Sequence, residues 1–232
     1  YIAIRRPMKV PEAGTEVYHN QSRAGNNTKT SITGIGFTPD AFISKEYFGA
    51  SRGGLFANRL CNPNRYLGFS STATESAGGA TNWIDTLNMD GVTVNVDEGG
   101  AHVNDDYFYD QYRYHYFRRA PEFMDVVAYT GTGAAHNEAH NLTVAPEMMI
   151  LKNRGTVSNW EVYHSAMGGT GYMWINTNAA DGGPYAGSWN NTSPTASVFT
   201  VGLTNSASAG TYIAYLFATL AGVSKVGSYT AD

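Results

Sequence analysis

The sequence predicts an all-β fold of two tandem antiparallel β-sandwich domains, jelly-roll-like and with little helix. Three observations carry that expectation. Charged residues make up only 15% of the 232, while Gly (26) and Tyr (16) are plentiful, a composition suited to short strands and tight turns rather than long helices. Apolar runs of four to eight residues recur between turn signals such as Gly155, Gly168-Gly169, Gly182-Gly183-Pro184 and Gly210. Finally, the chain repeats itself.

The repeat is set by four landmarks in order. "GFTPDAFISK" (Gly36 to Lys45) reads like "TVAPEMMILK" (Thr143 to Lys152), with the prolines at a separation of 146 − 39 = 107. "RYLGFSS" (Arg65 to Ser71) falls on "GYMWINT" (Gly171 to Thr177), the tyrosines at 172 − 66 = 106. Trp83 of "NWID" falls on Trp189 of "SWNN", and "GVTV" (Gly91 to Val94) on "SVFT" (Ser197 to Thr200), both at the same 106. In each decapeptide the Pro is expected to end a turn and the Lys to leave the sheet. A fixed period of this length marks tandem structural units.

Within the second unit, seven strands are expected in order: "VVAYTG", "HNLTV", "EMMILKN", "WEVYHS", "GYMWINT", "SVFTVG" and "TYIAYLFA". About seven short strands in about 100 residues is a sandwich signature. "YIAIRRP" (Tyr1 to Pro7), "YHYFRRAP" (Tyr114 to Pro121) and "YIAYLFA" (Tyr212 to Ala218) are apolar at nearly every position, so they are expected to be covered on both faces. "TLAGVSK" offers helix only weakly, because Gly222 limits it to a turn. The units are placed at residues 10–120 and 121–220. Residues 1–9 read as the end of a preceding repeat, and 221–232 as the start of a following repeat or a linker, so a longer polypeptide is expected.

Composition also narrows function. A net charge of −4 without a Lys/Arg-rich run offers nucleic acid no electrostatic footprint. No apolar run approaches the roughly 20 residues of a bilayer-spanning helix, so no membrane insertion is expected. The single Cys61 excludes a disulfide framework within this chain and reads as a small core or loop residue.

The run "VAYTGTG…HNLTVAPEMMILK…WEVYH…YMWINT…WNNTSPT…VFTVG…GTYIAYLFA", from Val127 to Ala218, resembles a repeated domain of unknown function found in structural, tail-fibre-like proteins of tailed phages, especially marine ones. It covers the second unit closely and the first in degenerate form, departing at "FGASRGGLFANRL" where the second has "WEVYH". What the resemblance implies is a non-enzymatic virion segment at a virion or extracellular location. It would meet other virion subunits, with a homo-oligomer such as a trimer and a host-surface glycan as further partners. Monomeric sandwiches strung like beads are the alternative arrangement.

Several constellations bear on chemistry. "HNEAH" sets His136 and His140 four apart, but Glu138 stands two places after the first His and the surrounding glycines suggest a polar loop, unlike a zinc-protease helix. Asp105, Asp106 and Asp110 are weak candidates for a hard cation or for the paired carboxylates of glycoside hydrolysis; a solvated hairpin is the plainer reading. No cofactor and no catalytic residue is assigned. A carbohydrate-binding adhesin would need exposed aromatics beside polar groups, and Trp160, Tyr163, Asp181 and Asn190 are its candidate glycan ligands. Trp83 and Trp189 occupy equivalent positions and read as core plugs, with Trp174 as core as well. Asn26, Asn141, Asn190 and Asn191 open N-x-S/T sequons and read as turn residues.

Overall fold

A computed structural model describes residues 8–48, 53–61, 65–77, 84–95, 104, 111–180 and 182–229. The strand expected over Tyr1 to Pro7 and the residues Trp83, Asp105, Asp106, Asp110 and Asp181 lie outside the described residues. The fold is all-β, in antiparallel sheets with short helical turns.

In the first half run β1 (Tyr18–Ala24), β2 (Thr30–Ile32), β3 (Ala41–Phe48), β4 (Leu55–Asn58), β5 (Arg65–Gly68), β6 (Ser76–Ala77), β7 (Ile84–Asn88), β8 (Gly91–Val94) and β9 (Gln111–Phe117). The second half holds β10 (Met124–Thr130), β11 (His136–Ala139), β12 (Met148–Asn153), β13 (Glu161–His164), β14 (Met173–Trp174), the one-turn helix α1 (Ala186–Trp189), β15 (Val198–Val201) and β16 (Thr211–Phe217). The large sheets are ordered β1-β9-β3-β4-β5-β6 and β10-β16-β12-β13-β14; the small ones are β2-β8-β7 and β11-β15.

The halves duplicate each other down to register. Tyr18 faces Phe117 and Ala41 faces the same residue; in the second half Met124 and Met148 both face Phe217. Leu55 faces Gly68, and Glu161 faces Trp174. One landmark moves by a residue. The structure sets "GVTV" on "VFTV" (Val198–Val201), because Val92 and Val94 fill the first core as Phe199 and Val201 fill the second. The expected pairing would have matched buried valines to Val198 and Thr200; side-chain alternation makes a one-residue slip exchange the faces.

Three cores stack through the molecule. One lies between the six-stranded and three-stranded sheets, where the alternating "QYRYHYF" of β9 points Tyr112, Tyr114 and Tyr116 inward against Phe42, Val92 and Val94. Another lies outside the second large sheet, where Trp189, Phe199 and Val201 cover Met149, Leu151, Ala214 and Leu216. The third joins the halves: Ala41, Phe56 and Leu67 of the first meet Ile150, Trp160, Val162, Ile213 and Tyr215 of the second. This is why "TYIAYLF" is apolar throughout, with Tyr212, Ala214 and Leu216 on one core and Ile213 and Tyr215 on the other. Equivalent residues meet across the central core, Phe117 and Phe217 having ring centroids 6.4 Å apart. The halves therefore share a core, and are not beads.

Polar contacts tighten the same junction. Arg154 grips Glu75 through Nη2 at 3.1 and 2.9 Å and through Nε at 3.2 Å. Asn58 donates to the Tyr215 hydroxyl at 2.7 Å, and Glu75 N–H to the Arg154 carbonyl at 2.8 Å. The expectation that both repeat lysines leave the sheet is corrected here. Lys45 is exposed, whereas Lys152 is fully buried and its Nζ donates to Thr72 O (3.0 Å), Ser158 O (2.8 Å) and Ser158 Oγ (3.2 Å). The turn that opens the second half, Ala120–Met124 with Glu122 at φ 62°, recurs as Leu220–Ser224 with Gly222 at φ 77°, in line with the single turn expected of "TLAGVSK".

Candidate ligand-binding site

The aromatic residues nominated for a glycan site are packing residues. Trp160 is fully buried between the halves, stacked near Phe56 and Tyr215. Its Nε1–H donates to Gly68 O of the first half at 2.8 Å. Tyr163, on the opposite face of β13, is buried edge-on to Trp189. Asn190 ends α1 in the left-handed region (φ 51°), followed by Asn191 at φ 53°, so both are turn residues as expected. The proposed set is thus dispersed by strand alternation: Trp160 and Tyr163 point into different cores.

The other candidates are also accounted for by local structure. His136 and Glu138 stand on strand β11 rather than in a loop, with Nε2 2.9 Å from Oε1, while His136 Nδ1 lies 3.0 Å from Ser206 Oγ. His140 Nε2 is 3.1 Å from Thr195 O. Among the described residues no group of three or more His, Cys, Asp or Glu is placed to hold a metal ion. Cys61 is buried, and burial pushes its thiol up to about 12, with Glu75 adding to the shift. A thiol so protonated is a poor nucleophile.

A concavity that the sequence reading did not nominate has more chemistry. It opens at the end of β13 and β14, has a volume of about 350 Å³, and is lined among others by Glu161, Tyr172, Trp174, Tyr185, Ser188 and Asn205. Tyr172 touches Trp174 (centroids 5.4 Å) on one side and Tyr185 (5.7 Å) on the other, giving a continuous aromatic wall. Glycines hold that wall in place. A Cβ at Gly182 would stand 2.2 Å from the Tyr172 ring, and one at Gly187 2.3 Å from the Tyr185 ring. The Tyr185 hydroxyl is fixed 3.1 Å from Thr204 Oγ1.

Glu161 stands against this wall, only 5% exposed, and accepts from Asn205 Nδ2 at 3.0 Å. Burial raises its carboxyl pKa, against the opposing pull of the neighbouring Ser188 hydroxyl and the Asn205 amide. The Ser188 hydroxyl lies near the carboxylate without completing a well-formed hydrogen bond, so its buried oxygen has no partner. Unsatisfied buried polar atoms are uncommon and call for an explanation.

The repeat supplies an internal comparison. The equivalent concavity of the first half, about 290 Å³, is lined by Leu55, Tyr66 and Gly68. Register places these at Glu161, Tyr172 and Trp174. One tyrosine is common to both; the carboxylate and the indole are not. Residues 122–232 match a family described as a domain of unknown function (DUF7483). The matched stretch contains the whole aromatic pocket, and its description assigns no chemistry to it. No curated protein and no solved structure matches the chain.

Sequence comparison of the two units held the signal for this site. Leu55 against Glu161 and Gly68 against Trp174 depart from the duplication where the fold does not require it. Ser188 and Asn205 come from a one-turn helix and a 3-10 turn that carry no periodic pattern.

Proposed function

We propose that this chain is a non-enzymatic structural segment of a virion, of the tail-fibre or appendage kind its sequence resembles. Its building block is a β-sandwich of jelly-roll character, one unit over about residues 10–120 and one over 121–220. The observation that carries the reading is the central core: two copies of one sheet meet broad face to broad face, with Phe117 on Phe217 and Trp160 reaching across to Gly68. A duplicated module joined in this way is suited to bearing load and spacing. Contacts to neighbouring virion subunits, including a homo-oligomer such as a trimer, belong to this proposal through the sequence resemblance.

Among the described residues, several reactive or aromatic groups are held in structural contacts. His136 is tied to Glu138 and Ser206, Cys61 is a buried protonated thiol, and the side chains of Trp160 and Tyr163 are packed away. Immunogold labelling of purified native particles with antibodies against this segment tests the proposal. Gold on a tail or capsid appendage is the expected result; labelling confined to the lysate, with bare particles, would sink it.

A further inference from the structure

We propose that the pocket walled by Tyr172, Trp174 and Tyr185 and backed by Glu161 binds a neutral saccharide, one or two pyranose rings in size. This goes beyond the structural role above and concerns a site confined to the second half.

A buried carboxylate is expensive unless its hydrogen bonds repay the lost hydration. Glu161 is 5% exposed with a single well-formed bond, from Asn205. At the same register position the first half places Leu55, fully packed, beside the same kind of sheet. The fold therefore accepts an apolar residue there. Glu161 is best explained by something outside the chain that uses its oxygens.

Tyr172 has Trp174 at 5.4 Å and Tyr185 at 5.7 Å between ring centroids, their planes tilted by 56° and 55°, so three ring faces line the concavity at angles to one another. A single ring face among them can stack on a partly apolar ligand face. A pyranose offers that face through its C–H groups and carries hydroxyls at its rim, which here would meet Glu161 and the unpartnered Ser188 oxygen. About 350 Å³ lies at the small end of ligand pockets, consistent with one or two sugar rings. Charge selects further: an acidic sugar would bring its carboxylate toward Glu161 and be repelled.

Gly182 and Gly187 let backbone lie against the Tyr172 and Tyr185 rings, and Thr204 fixes the Tyr185 hydroxyl. Rings held before binding reduce the ordering cost of capture.

The test uses the full chain and saturation-transfer NMR with the methyl pyranosides of glucose, galactose, mannose and N-acetylglucosamine, alongside tetramethylammonium as an organic cation. At least one pyranoside is expected to receive saturation, and its dissociation constant is expected to rise at least tenfold in Trp174→Gly and in Glu161→Leu. Both variants install the first half's own residue, and thermal melting checks that each folds. Tyr66→Ala, in the first-half pocket, should leave binding unchanged. Silence from all four pyranosides overturns the proposal. So does binding that survives both pocket variants, or a response to tetramethylammonium alone.

Discussion

Trp160 of the second half donates its indole N–H to the carbonyl of Gly68 in the first, at 2.8 Å, and stacks its ring near Phe56 of the first half and Tyr215 of the second. One side chain thereby belongs to the cores of both copies. Trp160→Ala should cost about 3–5 kcal/mol, the range for deleting a large buried aromatic. Trp160→Phe, which keeps an aromatic ring but gives up part of the packing and leaves the Gly68 carbonyl without its donor, should cost less than Trp160→Ala, about 1–3 kcal/mol. Urea unfolding followed by fluorescence and far-ultraviolet circular dichroism gives both values. Wild type is expected to unfold in one transition because the halves share a core; two well-separated transitions in wild type would contradict the coupling.

Arg154 and Glu75 form a largely but not fully buried ion pair across the same junction, their side chains 14% and 8% exposed. Removing one partner strands a buried charge, so Arg154→Ala should destabilise by about 3–5 kcal/mol. Replacing both, as Arg154→Met with Glu75→Leu, should recover most of that loss. A double-mutant cycle from denaturant midpoints measures the coupling, and strictly additive losses would show that the pair does not act as a unit.

Lys152 gives the junction a pH dependence. Burial lowers its pKa from 10.5 to about 8. The unfolded chain then binds more protons than the folded one between those values, so this lysine's contribution to stability is complete above about 10.5 and is lost as pH falls through about 8. Other groups, Cys61 among them, titrate in the same window with the opposite sign, so the useful quantity is a difference. The stability of wild type relative to Lys152→Met should rise between pH 7 and pH 9.5. A difference that stays flat across that range would show that Lys152 does not carry the effect.

Glu161 has the complementary behaviour. Its folded-state pKa is raised by burial above 4.5, so its stabilising contribution is present at lower pH and is lost as pH rises through the raised value. The advantage of Glu161→Leu over wild type should therefore be larger at pH 7 than at pH 4, measured by thermal melting at both. An equal offset at the two pH values would place the carboxylate in an environment no different from water.

Gly182→Ala tests the wall of the pocket. The new methyl would lie 2.2 Å from the Tyr172 ring, which must shift from its place beside Trp174. The near-ultraviolet circular dichroism of the aromatic side chains should change while the far-ultraviolet spectrum stays the same. Superimposable near-ultraviolet spectra would show that the ring is not held by this contact.

Much of the fold was legible because local chemistry and period carried it. The repeat of Pro39 at Pro146 located β3 and β12, and the unbroken apolar run of "TYIAYLF" announced a strand covered on both faces. Other features were not local. Lys152 looks like Lys45, its counterpart in the first repeat, yet one is buried under Thr72 and Ser158 and the other is exposed, since only the packing of the first half on the second decides which is covered. Trp160, just before β13, and Tyr163, within it, looked like neighbours for a ligand; the chain sends them into separate cores.

The amino-acid sequence by itself determined the all-β class, the duplication and most strand positions, because turn residues, period-two patterning and repetition act over a few residues at a time. Tertiary structure alone decided that the copies fuse through Trp160, Phe117 and Phe217, and that Glu161, Trp174 and Ser188 line one pocket. Those pairings join residues far apart in the chain, and their energy comes from burial shared between elements, which no short stretch of sequence contains.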